Sequence, residues 1–183
     1  MTLSKIYEIL LEIEDKVLME KVCDLYQKSL AKAFHGEPAS TRYHHQRVGG
    51  LGKHVREVMN FSLNIYDGTC DSIRWRCKRD DIIIASLLHD ANKVGLYEHI
   101  NRGTIKWQRK KDVIEMDPTK CAMKFARQYG FKLSAHVINA IRYHHGGWTR
   151  LKSKYALWQD MTRMAILIHA ADLMSCKYDQ GRP

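Results

Sequence analysis

Apolar residues in this chain recur at every third and fourth position and rarely alternate, a spacing that gives helices one apolar face and leaves no sheet a continuous inner surface. Between residues 3 and 34 the stripe passes through Ile6, Ile9, Leu10, Ile13, Val17, Leu18, Val22, Leu25 and Leu30, with one interruption at Glu14 and Asp15. Gly36 and Pro38 end it, and Gly49 and Gly50 close the loop that follows. The same period predicts helices over 51–67, 82–93, 118–129, 134–145 and 158–178, with a turn at 67–72. Asp80 or Asp81 can cap the second of these, and Asp117 before Pro118 can cap the third. Residues 96–117 are polar, and their alternation suits a short hairpin. The expected fold class is all-α: one compact helical bundle over residues 1–183, with 1–35 as scaffold and 38–178 carrying the polar motifs.

Composition supports a packed core, since 45% of residues are hydrophobic, 27% are charged and only three are proline. The longest apolar runs, Ile82 to Leu88 and Met164 to Ile168, fall far short of the roughly 20 residues of a membrane span, and the first residues lack a signal-peptide apolar region. A cytoplasmic protein with no membrane partner is therefore expected. Five cysteines, at 23, 70, 77, 121 and 176, form no CxxC pair, which argues against both a disulfide framework and a thiolate zinc site. Thirty Lys and Arg against twenty Asp and Glu leave a net charge of +10. Such a surface attracts polyanions or phosphorylated small molecules, although a solvated basic surface without a dedicated partner has the same composition.

The chemistry concentrates in "LLHDANKVG" at 87–95, where an apolar helix ends in His89, Asp90 and Lys93. Each is costly to bury unless it is paired or bound to something. Imidazole nitrogen and carboxylate oxygen together suit Zn, Mn, Fe, Co or Ni. His54, His89, Asp90 and Asp172, from three predicted helices, could supply such a set. A satisfied core histidine is the ordinary alternative for each imidazole.

Four ordered stretches settle on one comparison. "PASTRYHHQRVGGLGKH" at 38–54, "LLHDANKVG", "AIRYHHGG" at 140–147 and "IHAADLMS" at 168–175 resemble the motifs of the HD superfamily of metal-dependent phosphohydrolases. The resemblance implies a helical domain and a divalent metal cofactor (Mn, Co, Ni, Fe, Zn or Mg) held by His54, His89, Asp90 and Asp172, with Asp90 able to bridge to a second ion. It further implies that Asp90, Lys93 and one of His144 and His145 act in catalysis, the other of the two histidines packing or capping, as a metal-activated water attacks the phosphate ester of a nucleotide or deoxynucleotide. Lys93 as a helix-end cation favoured by the macrodipole is the competing reading. Two-metal relatives usually carry another histidine near the start of the helix at 118, where this chain has Lys120 and Cys121, so one ion is expected and the second stays open. His99 could substitute from its loop or have no role there. His169 could orient a ligand or pack, and His44 and His45 could line the entrance or only occupy the loop.

Two rival functions remain at this level. A nuclease or phosphodiesterase acting on single-stranded or cyclic oligonucleotides is suggested by "RGTIKWQRKK" at 102–111, where Trp107 could stack on a base among five basic residues. A non-catalytic nucleotide sensor is the other, disfavoured because open His and Asp ligation is a poor structural zinc site. The N-terminal stripe could also serve a homo-oligomer by packing against a twin.

Overall fold

The computed structural model describes residues 2–41, 44–69, 76–102, 104–146 and 157–180. Helix α1 (Thr2–Leu10) is followed by α2 (Lys16–Leu25), which runs through a π-helical turn at Tyr26–Leu30 into α3 (Ala31–Gly36). Next come α4 (Gly50–Thr69), α5 (Arg79–Leu88), a 3-10 turn (Ala91–Lys93) and the strands β1 (Tyr97–Arg102) and β2 (Thr104–Arg109). The order ends with α6 (Pro118–Gln128), α7 (Ala135–Tyr143), α8 (Leu157–Asp160) and α9 (Arg163–Gln180). The fold is helical apart from that antiparallel hairpin, which pairs Tyr97 with Arg109 and His99 with Trp107. Among the described residues no helix is long and apolar enough to cross a membrane.

Helices α4 and α9 form the central pair, with α5 packed on both and α7 packed on α5 and α9. Helix α5 is apolar on every side, and Ile82, Ile83, Leu87 and Leu88 are wholly buried, as expected of a helix enclosed by others. The stripe of the first segment is spent on the same core, where Ile6, Ile9, Leu10 and Ile13 are buried. Its interruption falls where the spacing predicts: Asp15 caps α2 by accepting from the Leu18 N–H.

Several boundaries differ from expectation for identifiable reasons. Asp80 does not cap α5; its carboxylate accepts from the backbone N–H groups of Glu14 and Asp15, at 3.0 and 3.3 Å, and ties the α1–α2 link to α5. Asp81 instead reaches back to the N–H of Lys78, the residue before the helix. Helix α5 stops at Leu88 rather than Lys93 and tightens into the 3-10 turn. The single helix expected over 158–178 is two, α8 and α9. At the break Asn139 of α7 donates to the Asp160 carbonyl and accepts from the Thr162 N–H, while the Thr162 hydroxyl accepts from the Ala165 N–H. Of the turn expected at 67–72, residues 67–69 extend α4 and 70–72 lie outside the described residues.

The entry to α4 is tightly constrained. His45 adopts a left-handed φ of 50°, and its carbonyl accepts from the Ala39 N–H. A Cβ at Gly50 would drive into that carbonyl oxygen, so the helix starts there only with glycine. Gly50→Ala is expected to cost about 1–3 kcal/mol through overpacking, read as a lower denaturant midpoint at unchanged slope.

Candidate metal centre

The helix ends explain why histidines sit where they do. His89 follows the last residue of α5 and donates its Nδ1–H to the Ser86 carbonyl at 2.7 Å. His144 follows the last residue of α7 and donates likewise to the Ile141 carbonyl at 2.6 Å. Each imidazole thus satisfies a carbonyl that its own helix leaves unpaired, and each turns a bare Nε2 inward. His54, in the second turn of α4, is anchored differently. Its Nδ1–H donates to Ser175 Oγ at 3.0 Å, and Ser175 in turn donates to Glu57 Oε2 at 2.8 Å.

Three imidazole nitrogens therefore face two carboxylates in one enclosed space. His54 Nε2 lies 3.2 Å from His89 Nε2, 3.1 Å from Asp172 Oδ1 and 3.3 Å from Asp90 Oδ2. His144 Nε2 and Asp90 Oδ1 are 3.7 Å apart, and neither has a hydrogen-bond partner among the described residues. All five residues are no more than 8% exposed. With every Nδ1–H committed to an anchor, the inward atoms are all acceptors, and a cation is the species that reconciles them. His54, His89, Asp90 and Asp172 fit a divalent ion with mixed nitrogen and oxygen ligands, and Asp90, His144 and His145 form an adjoining group of potential ligands.

Electrostatics agree with that geometry. Burial alone would lower the His54 pKa, but hydrogen bonds to Asp172 and Asp90 outweigh it and push the pKa up to about 9. A proton on His54 is thus the substitute for a cation in this space. Burial opposes ionisation of Asp90, yet Lys93 and His89 hold its carboxyl well below the usual range. Asp172 is likewise low despite burial, through His54. Lys93 Nζ donates to Asp90 Oδ2 at 2.7 Å, and this contact overcomes burial to hold the ammonium charged.

Beside the cluster lies a cavity of about 580 Å3. His44, Lys93 and His145 border it on the cluster side, and Tyr97, Trp107 and Arg109 of the hairpin line it from above, with Glu115. The hairpin is held over the site by its base: Gly95 N–H donates to Glu37 Oε2, and Lys110 donates to the Leu96 and Gly95 carbonyls from its backbone and side chain respectively. The His145 ring lies tilted by 44° against that of His144 with centroids 3.9 Å apart, and desolvation there pushes its pKa down to about 4.

All of the residues singled out from the sequence for metal binding and catalysis converge here. His99 does not; it is exposed on β1, edge-on to Trp107. His169 donates to the His144 carbonyl at 2.7 Å, and a Cβ at Gly146 would strike its ring, so it fixes the backbone beneath the His144–His145 pair. Sequence reasoning missed Ser175 and Glu57, the anchors of His54, and Cys176, and it left His44 and His45 undecided. His45 Nε2 bonds Glu57 Oε2 at 2.8 Å, and the His44 ring lies 4.9 Å from that of His54. One signal was present: "RYHH" occurs at both 42–45 and 142–145.

A sequence model of the family described as HD domain matches residues 51–175, more than half of the chain. Among curated proteins, the dihydroneopterin 2',3'-cyclic phosphate phosphodiesterase of Methanocaldococcus jannaschii is 26% identical over 153 residues, which make up 79% of this chain. The match spans 59% of that relative's length. No solved structure matches the chain.

Stripping divalent metal should lower the melting temperature and re-adding Zn or Mn should restore it, with a shift that shrinks as pH falls because protons compete for the same atoms. Asp90→Asn should abolish the shift. Ser175→Ala should weaken metal affinity about ten- to a hundredfold by freeing the His54 ring, as read by titration calorimetry.

Proposed function

The chain belongs to the HD domain family, and from that premise we propose that it is a metal-dependent phosphohydrolase acting on the phosphate ester of a nucleotide or deoxynucleotide. The observation that carries the reading is the inward convergence of three bare imidazole nitrogens and two carboxylates beside a cavity bordered by a charged lysine. His54, His89, Asp90 and Asp172 would hold the ion. Their donor set favours Zn, Mn, Fe, Co or Ni over the all-oxygen preference of Mg. A divalent cation bound there supplies a Lewis acid for the phosphoryl oxygen and lowers the pKa of a coordinated water.

The remaining work falls to side chains. Lys93, 13% exposed and tethered to Asp90, presents its ammonium to the phosphoryl oxygens, where a fixed, largely buried charge counts for more than one in water. Asp90 Oδ1 has no hydrogen-bond partner among the described residues and is the base nearest to accept the proton of the attacking water. His144 Nε2, 3.7 Å away, and His145 at the cavity edge receive or return that proton on the leaving-group side. A volume of about 580 Å3 suits a nucleotide-sized molecule. Trp107 and Tyr97 give a planar base two aromatic surfaces, and Arg109 gives it a cation.

The second reading is a phosphodiesterase acting on a cyclic or single-stranded oligonucleotide. It is favoured by the relative whose name specifies a 2',3'-cyclic phosphate. It also draws on the basic character of the hairpin sequence.

A panel of nucleoside mono-, di- and triphosphates, 2',3'- and 3',5'-cyclic nucleotides and oligonucleotides, each with Mn, Co, Ni, Zn, Fe and Mg, separates the readings. Turnover of a mononucleotide that is lost in Asp90→Ala supports the first, and turnover confined to cyclic or oligomeric diesters supports the second. Absence of turnover across the panel with metal bound would leave a nucleotide sensor as the better description. Lys93→Ala should cut kcat about a hundredfold with metal content unchanged, the scale of one lost electrostatic donor. Trp107→Ala should instead raise KM for nucleotides. Oligonucleotide binding, if it is the function, should weaken steeply with added salt.

A further inference from the structure

A second cavity, of about 350 Å3, opens where α1, α3 and the start of α4 meet. Ile6 and Phe34 give it an apolar side, and His35, Arg47, Lys53 and Arg56 line the rest. Gly52 and Arg56 stand two residues before and after His54 on α4, and so lie about 160° round the helix from it. The cavity and the His–Asp cluster therefore face away from each other across one helix. The approach of α3 to α4 that brings these walls together requires glycine, since a Cβ at Gly52 would lie 2.6 Å from the Phe34 carbonyl oxygen.

The charge of this space is one-sided. Three permanent cations line it, His35 adds a fourth when protonated, and no carboxylate is among the described residues of its wall. Glu57 reaches Lys53 at 3.3 Å, but the same carboxylate also accepts from His45 and Ser175, so its charge is divided among three partners. Helix α4 begins at Gly50, and the positive end of its macrodipole adds to the same field. Lys53 and Arg56 are half-buried, which limits screening by water and salt. Guanidinium forks match phosphate oxygens in pairs, and an ammonium supplies a point charge beside them. A volume of about 350 Å3 is at the small end of ligand sites and suits a phosphate with a compact organic group rather than a polymer.

We propose that this cavity is an anion site separate from the metal centre, in which Arg47, Lys53 and Arg56 receive a dianionic phosphate group, free or carried by a small molecule. The site is independent of the hydrolytic reading, because it uses neither the cluster nor a bound metal.

Equilibrium dialysis of the metal-stripped full chain against labelled inorganic phosphate, adenosine 5'-monophosphate or adenosine, at fixed ionic strength, tests the proposal without any turnover. Carrying Lys93→Ala in every sample removes the cation of the catalytic cavity, so that binding there does not stand in for the new site. The expected result is one phosphate or monophosphate per chain with adenosine unbound. Tighter binding of the monophosphate would identify a ligand with an organic part, equal affinity would identify the free ion, and both outcomes uphold the site. Arg56→Gln should weaken that binding about ten- to a hundredfold, the scale of one charged hydrogen bond. Arg47→Gln, at an exposed loop position, should weaken it about fivefold or more and serves where the Arg56 variant does not fold. A dissociation constant weaker than about 1 mM for both phosphates would overturn the proposal even if no further variant folded, since any basic surface attracts anions that loosely. Binding left unchanged by both arginine substitutions would overturn it as well. So would retention of a single-stranded oligonucleotide with both small phosphates unbound, which would make the basic wall part of a polymer-binding surface.

Discussion

Acceptor atoms crowded into a buried space repel one another, and the rest of the structure can be understood as the means of holding them together. His54 and His89 bring two nitrogen lone pairs within 3.2 Å, with carboxylate oxygens of Asp90 and Asp172 at similar range. Among the described residues the side-chain donors that reach those carboxylates from outside the cluster are Lys93, on Asp90 Oδ2, and Cys176, on Asp172 Oδ1. Such an arrangement survives only if every ring is pinned from behind. The pins are two helix-end carbonyls, at Ser86 and Ile141, and the Ser175–Glu57 pair.

These pins are distributed over the whole bundle. Helix α4 contributes His54 and Glu57, α9 contributes Asp172 and Ser175, and the ends of α5 and α7 contribute His89 and His144. The packing of α4 on α9 and of α5 and α7 against them is therefore also the alignment of the site. The loop before α4 joins the same system through His45, whose left-handed backbone and hydrogen bond to Glu57 share one residue. A small change in how α4 begins would be felt at His54 because the intervening groups are buried and close-packed.

Local signals made much of this legible in the sequence. The 3.6-residue period located the helices, Asp117 marked one of their starts by the capping chemistry that the structure displays, and alternation marked the hairpin. The metal-binding and catalytic candidates were legible as ordered motifs, and the structure brings all of them together. What escaped was non-local. Ser175 lies 121 positions from the His54 ring it anchors and 118 from Glu57, and nothing in the immediate sequence of either announces the contact. Of the two acids offered for the start of α5, Asp81 serves it and Asp80 does not, because the α1–α2 link presents Asp80 with two backbone donors from far along the chain. The break between α8 and α9 depends on Asn139, which belongs to another helix.

The order in which the cluster appears along the chain bears on its assembly in the cell. His54 leaves the ribosome first, His89 and Asp90 follow, and Asp172 and Ser175 come last, so a nascent polypeptide carries the candidate ligands apart from one another until translation has passed residue 175. Closing the contact between α4 and α9 is a long-range event that follows the local winding of helices. Selection of an ion by such a cluster would thereby wait until the bundle has closed, when geometry rather than raw affinity decides which ion is kept.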